Sequence, residues 1–139
     1  MSAVQLYPYL SFNGECEAAF RCYEKALGGK IVYLMTYGES PVAGETPPEW
    51  RGKVYHATFT AGAVTFAGAD PLPAEYRKPQ GFTVMLQMDG AEETERAFTA
   101  LAEGANVQMP LQETFWALRF GALTDRFGTP WIIQCEKPT

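Results

Sequence analysis

Residues 11–32 read SFNGECEAAFRCYEKALGGKIV, and this stretch decides the fold. Asn13-Gly14 is typical of a turn that ends a strand. Apolar residues then recur at the three- and four-residue spacing of a helix, at Ala19, Phe20, Tyr23 and Leu27. The pair Gly28-Gly29 indicates where that helix ends. The stretch therefore predicts a helix over residues 15–27 between two strands.

The same order of strand, turn, helix and helix stop recurs later in the chain. Residues 87–108 read QMDGAEETERAFTALAEGANVQ and align with residues 11–32 without a gap, at a shift of 76 residues. Gly14 falls on Gly90, and Gly28 falls on Gly104. Identity between the two stretches is low, but strand, turn, helix and stop recur in order. The chain therefore contains an internal repeat.

Further strands extend each repeat. Apolar alternation predicts strands over Leu6–Phe12, Lys30–Tyr37, Val54–Thr60, Ala63–Ala67, Phe82–Met88, Thr114–Leu123 and Pro130–Cys135, with another beginning at Val107. Residues 38–52 are rich in proline, glycine and acids, which indicates a long surface loop without a regular element. Each half thus reads βαβββ. The expected fold class is α+β, one domain over residues 1–139 made of a first module at about 1–70 and a second at about 80–139. Halves of this size are too small for a good core alone, so we expect them to pack together or to swap with a second chain.

Composition excludes several classes of function. A chain of 139 residues with 47% hydrophobic residues suits one globular domain. Proteins that bind nucleic acid neutralise its backbone phosphates with positive charge. The formal net charge here is -5, so nucleic acid is not an expected partner. No apolar run approaches membrane-spanning length and no signal peptide is recognisable, so we expect a cytoplasmic protein without a membrane partner. The chain has an odd number of cysteines, Cys16, Cys22 and Cys135, and they have no CxxC spacing. We expect all three to be free thiols.

Three segments resemble a known family. They are YPYLSFNGECEAAFRCYEKALGG (7–29), VYHATFTAGAVTFAGAD (54–70) and MPLQETFWALRFGALTDRFGTPWII (109–133). The last is the most specific, because a Phe-Trp strand, an arginine two residues before Gly121 and Asp-x-Phe-Gly-x-x-Trp occur together. The chain resembles the PhnB-like branch of the vicinal oxygen chelate superfamily, the glyoxalase and bleomycin-resistance fold. That resemblance implies two βαβββ modules whose mixed sheets curl into a cup, in a homodimer.

The resemblance also locates where metal-binding members hold a divalent ion. They use His or Glu at four strand positions. The corresponding residues here are Pro8, Phe82, Gly68 or Ala69, and Ile132, which have no side-chain ligand. A slip of one or two residues brings in only Tyr7, Tyr9, Thr83 or Gln134, which are poor ligands. We therefore expect no metal and no other cofactor at these positions.

Two polar residues are the catalytic candidates. His56 is the only histidine and lies at the start of a strand. It is either a general base or donor at the cup, or a histidine hydrogen-bonded at a strand edge. Glu113 acts as an acid or base only if it is buried beside a substrate, and otherwise is an exposed loop carboxylate.

The binding candidates are an arginine and several aromatic residues. Arg119 either points into the cup, where it can hold a carboxylate or phosphonate, or pairs outside with Glu113 or Asp125. Alternation in this strand does not say which face is concave. Five aromatic residues near strand openings are candidates for stacking on a planar ligand: Tyr7, Tyr9, Trp50, Trp116 and Trp131.

Two functions follow from these residues. The first is a small-molecule binding protein that uses an aromatic cup, with Arg119 and His56, and no metal. The alternative is a metal-dependent lyase or dioxygenase of the glyoxalase type with non-standard ligands such as His56 and Glu113. The absence of the usual His and Glu metal ligands favours the first function.

Overall fold

The computed structural model describes residues 3–138. The helices and strands among them are β1 (Tyr9–Ser11), α1 (Cys16–Leu27), β2 (Lys30–Thr36), β3 (Val54–Ala61), β4 (Val64–Ala69), β5 (Val84–Gln87), α2 (Ala91–Ala102), β6 (Asn106–Gln112), β7 (Ala117–Thr124) and β8 (Pro130–Glu136). Short 3-10 turns lie between some of them. No helix within residues 3–138 has both the length and the apolar character needed to cross a membrane.

The described residues form two compact units, one of residues 3–24 with 28–77 and one of residues 25–27 with 78–138. Each unit contains a four-stranded sheet in which the first and fourth strands pair in parallel and the other neighbours are antiparallel. The strand orders are β1-β4-β3-β2 and β5-β8-β7-β6, so the second repeats the first. The predicted α+β fold of two βαβββ modules is confirmed.

In the first unit, α1 packs on one face of its sheet through an aromatic cluster. The Phe20 ring meets the Phe66 ring edge-on at 5.4 Å and the Phe59 ring at 6.0 Å. Phe20 also approaches the backbone of β4, because a Cβ on Gly68 would lie 2.9 Å from its ring. The helix ends as predicted at Gly28, whose left-handed backbone (φ 74°) only glycine adopts without strain.

In the second unit, the Asp-x-Phe-Gly-x-x-Trp motif has a structural role. The Asp125 carboxylate accepts hydrogen bonds from the backbone N–H groups of Phe127 and Thr129 and from the indole N–H of Trp131, at 2.9–3.0 Å. Trp131 itself is 2% exposed. The motif therefore closes the turn between β7 and β8 and fixes a core tryptophan.

Several predicted boundaries differ from the structure. The strand predicted over Leu6–Phe12 contains only Tyr9–Ser11, since Pro8 before it has no N–H for a ladder. The loop over residues 38–52 is not free of regular structure, because it contains 3-10 turns at Ala43–Glu45 and Pro48–Trp50. The sixth strand runs through Pro110, which an edge strand tolerates at a bulge.

The cysteines are free thiols, as predicted. Cys16 and Cys135 are buried and Cys22 is half-buried. Burial raises the pKa of the Cys16 thiol, and the negative charges of Asp70 and Glu17 raise it further. Cys16 is thus a buried apolar residue rather than a nucleophile.

We expect Gly121→Ala to lower the free energy of unfolding by about 1–3 kcal/mol, the usual cost of overpacking a core. A Cβ at this position would lie 2.7 Å from the Phe98 ring and 3.1 Å from the Met109 carbonyl oxygen. Urea unfolding followed by circular dichroism measures the change. Gly44→Ala is the matched control, since a Cβ there meets no atom within 4 Å. Equal stabilities of the two variants would contradict the close approach of Phe98, on α2, to Gly121, on β7.

Candidate functional site

The candidate site lies in the first unit, on the sheet face opposite α1. One residue from each strand forms a row across this face, in the order Tyr9, Ala67, Thr58, Tyr33. His56 lies two residues before Thr58 on the same face, and its strand partner is Met35. We call these side chains of the first unit, namely Tyr9, Tyr33, Met35, His56 and Thr58, the His56 face.

Both imidazole nitrogens of His56 meet hydroxyl groups. Nδ1 lies 3.1 Å from the Tyr9 hydroxyl, and Nε2 lies 3.4 Å from the Thr58 hydroxyl. Because a hydroxyl both donates and accepts, either tautomer of a neutral imidazole fits these partners. The contact at Nε2 is near the outer limit for a hydrogen bond, so Nε2 is the nitrogen that can exchange its partner for a ligand atom.

A small residue allows the hydrogen bond between Tyr9 and His56 to form. Tyr9 is on β1 and His56 is on β3, so the phenol must reach across the intervening strand β4. The residue opposite Tyr9 on β4 is Ala67, which leaves the space above that strand to the tyrosine ring. The Tyr9 and His56 ring centroids are 5.6 Å apart.

Two strand irregularities bring β2 into the site. The register shifts between Ile31 and Tyr33 and again between Met35 and Thr36, where β2 pairs with β3. These bulges set Tyr33 opposite Thr58 and Met35 opposite His56. The Tyr33 ring lies 6.0 Å from the imidazole, and its hydroxyl contacts the Met35 sulfur at 3.7 Å. His56 is therefore flanked by a tyrosine on either side.

The electrostatics of the site keep Tyr9 in its neutral form. Partial burial raises the pKa of the Tyr9 phenol. An O–H group is thus retained at Tyr9 at neutral pH, where it can donate to the imidazole or to a ligand.

Asp70 anchors the elements that carry the site. Its buried carboxylate accepts the backbone N–H of Cys16, at the start of α1, and of Val54, at the start of β3, each at 3.0 Å. Its backbone carbonyl accepts the Tyr37 hydroxyl at 2.7 Å and the Trp50 indole N–H at 3.4 Å. One residue thereby holds the helix, the strand of His56 and the loop after β2. It was missed from the sequence because Pro71 and Pro73 follow it, and such a composition is typical of a linker.

The structure separates the predicted binding residues of the first unit. Tyr9 lies on the His56 face, whereas Tyr7 is a half-exposed residue before β1. Trp50 lies against Gly14 and under the Lys53 ammonium group, which is 5.8 Å from its ring. Trp50 therefore holds the loop in place. Tyr33, Met35 and Thr58 were missed, although the alternation of β3 already places Thr58 on the side of His56.

The remaining predicted residues lie in the second unit. Trp131 is a core residue, and Glu113 is exposed and paired with Lys137 at 3.2 Å. Arg119 pairs with Glu95 of α2 at 3.7 Å rather than with Glu113 or Asp125. This pairing places Arg119 on the face that α2 covers. Trp116 is 43% exposed, and its ring meets Phe120 at 5.3 Å.

The side chains do not fit the divalent metal of this fold. Pro8, Gly68, Ala69, Phe82 and Ile132 have no oxygen, nitrogen or sulfur in their side chains. Among the described residues there is no group of three or more His, Cys, Asp or Glu side chains that could hold an ion. No metal-dependent step is therefore assigned to these positions.

Comparison with known proteins agrees with the fold. Residues 6–133 match the model of the glyoxalase/bleomycin resistance protein/dioxygenase superfamily. The chain is 38% identical to Protein YjdN of Escherichia coli (strain K12), over 95% of both chains. It is 43% identical to protein PA1353 of Pseudomonas aeruginosa, with a TM-score of 0.88 over 98% of this chain and 100% of that one. A PhnB protein from Bacillus cereus is 25% identical, with a TM-score of 0.79 over 95% and 99% of the two chains.

Asp70 should make stability fall as pH rises. Burial raises the pKa of this carboxyl. The backbone N–H donors and the charge of Lys53 lower the pKa, but burial has the larger effect. The folded chain then keeps the proton to higher pH than the unfolded chain, whose Asp pKa is about 3.9. The free energy of unfolding therefore falls as the pH rises from the unfolded pKa to the folded pKa, by about 1.4 kcal/mol for each unit by which folding raises the pKa.

Asp70→Asn removes this pH-dependent contribution. We expect the difference in unfolding free energy, wild type minus variant, to decrease as pH rises from 3.5 to 8, measured by urea denaturation at each pH. Asp89→Asn, at an exposed aspartate, is the control and should show no such trend. A difference that grows with pH would show that the carboxyl is stabilised in its ionised form.

Proposed function

The chain belongs to the glyoxalase/bleomycin resistance protein/dioxygenase superfamily, and we propose that it binds a small organic molecule on the His56 face without the metal of that superfamily. The supporting observation is the imidazole of His56, which hydroxyl groups hold at both nitrogens between two tyrosine rings. A homodimer and a cytoplasmic location stay predictions.

The bound molecule has two parts in this proposal. Its apolar or aromatic body lies between Tyr9 and Tyr33, which are 55% and 47% exposed and so offer ring surface to a ligand. Its polar group replaces the Thr58 hydroxyl at Nε2 of His56, where the existing contact of 3.4 Å is the weaker of the two. Tyr9 keeps Nδ1 occupied and so orients the ring for this exchange.

Ligand binding with matched variants tests this function. A thermal-shift screen of small carboxylates, phosphonates and aromatic compounds first identifies a binder. Tyr9→Phe, which removes only the hydroxyl, should then raise the Kd of that binder about three- to tenfold, the usual net value of one hydrogen bond. His56→Ala should weaken binding at least as much, as measured by calorimetry.

Tyr55→Phe is the control for this experiment. It makes the same atomic change one residue before His56, at a ring that packs edge-on against Tyr37 at 5.3 Å. Its affinity should equal that of the wild type. Equal affinities for all variants would contradict the proposed site. So would a stoichiometric divalent ion in protein purified without chelator, if His56→Ala removed it, because that result favours the metal-dependent alternative.

A further inference from the structure

The segment between β1 and α1 contains a reactive pair of residues that the His56 face does not use. Asn13 and Gly14 lie in this segment, and Asn13 is exposed. The backbone nitrogen of a glycine can attack the side chain of a preceding asparagine, because glycine has no side chain that hinders the approach. The other asparagine of the chain, Asn106, is followed by Val107, whose branched side chain hinders the same attack. Asn13 is therefore the asparagine at which this chain can modify itself.

The reaction needs only water as a co-reactant. The Gly14 nitrogen gives up its proton and forms a bond to Cγ of Asn13. The bond between Cγ and the side-chain nitrogen then breaks, and that nitrogen takes up a proton and leaves as ammonia. Water adds to one of the two carbonyl carbons of the resulting cyclic imide and opens the ring. Position 13 then holds either aspartate or isoaspartate, and in isoaspartate the main chain is longer by a methylene group.

Three contacts hold Gly14 in the folded chain. Its carbonyl oxygen accepts a hydrogen bond from the Lys53 ammonium group at 3.0 Å. The Trp50 ring packs so closely that a Cβ on Gly14 would lie 3.2 Å from it. The Gly14 N–H donates to the Asp70 carboxylate, and this hydrogen bond lowers the pKa of that carboxyl. We call these interactions the Gly14 contacts. They engage the nitrogen that has to attack.

The chain on either side of the pair is fixed as well. The Phe12 N–H donates to the Ala69 carbonyl oxygen at 3.0 Å, and the Cys16 N–H donates to the Asp70 carboxylate at 3.0 Å. The side chains of Phe12 and Cys16 are both buried. Ring closure requires the glycine nitrogen to face the asparagine Cγ instead of the Asp70 carboxylate. The segment must therefore open locally before it can react.

We infer that Asn13 is a site of self-modification, which the Gly14 contacts suppress in the folded chain and which reacts once those contacts open. The isoaspartate product cannot keep both flanking hydrogen bonds, because a longer main chain has to fit between the fixed partners Ala69 and Asp70. The modification would thus make the local opening permanent, at the junction of β1 with α1. This inference does not depend on ligand binding at the His56 face.

Peptide mass spectrometry of aged full-length protein tests the inference. Wild type is incubated at mildly alkaline pH in buffer and in guanidinium chloride, and the conversion of Asn13 from amide to acid is followed over time. The denaturant opens all of the Gly14 contacts, so we expect conversion to be about tenfold faster there, or more. Asn106 should convert much more slowly than Asn13 in the denaturant, because Val107 follows it.

Substitutions of Lys53 test one contact in the folded chain. Lys53→Met removes the ammonium group, and the loss of one hydrogen bond should raise the open population and the rate of conversion about three- to tenfold. Lys53→Arg, which keeps a donor, should convert at the wild-type rate. Lys78→Met makes the same change at an exposed lysine of the second unit and should also leave the rate unchanged. Circular dichroism shows whether each variant is folded.

Any of three results would overturn the inference. The first is that Asn13 stays an amide in guanidinium chloride. The second is an equal rate of conversion in buffer and in the denaturant, since the fold would then not suppress the reaction. The third is a rate for folded Lys53→Met that is no higher than that for Lys78→Met. If Lys53→Met does not fold, the comparison of the two wild-type incubations still decides.

Discussion

Within residues 3–138, each sheet has a single α-helix, and that constraint decides which side chains remain available for function. A single helix packs against only one face of a sheet, so it leaves the side chains of the other face without a helical partner. In the first unit the covered face is fixed by Phe20, which meets Phe59 and Phe66 and approaches the backbone at Gly68. Because side chains alternate along a strand, fixing one face as core fixes the other as well.

The two units have chemically different side chains on the sheet faces opposite their helices. The first unit presents an imidazole between hydroxyl and phenol groups. On the corresponding face, the second unit has the amides of Gln87 and Gln134, which are linked by hydrogen bonds to Glu136, and the rings of Phe120 and Trp116. The strand order and the helix stops at Gly28 and Gly104 are common to both. The fold is thus a scaffold whose chemistry depends on a few strand positions.

Membership of the superfamily therefore describes the scaffold more than the site. The chain keeps the βαβββ repeat over residues 6–133. At the positions where metal-binding members carry ligands, it has proline, glycine or alanine, phenylalanine and isoleucine. The polar groups of the first unit lie elsewhere, at His56 and Tyr9, so the chemistry of metal-bearing relatives does not transfer to them.

The sequence by itself determined the elements, because helix and strand periods are local. The helix stop at Gly28 and the recurrence of a helix in the second repeat were predicted correctly, as were the family and the βαβββ repeat. Tertiary structure decided which of these residues meet. The bond from Tyr9 to His56 spans 47 residues and needs the small Ala67 on the strand between them. Bulges in the pairing of β2 with β3 set Tyr33 beside the imidazole, and the partner of Arg119 proved to be Glu95. Register, bulges and cross-strand contacts arise from packing between distant segments, and no local pattern encodes them.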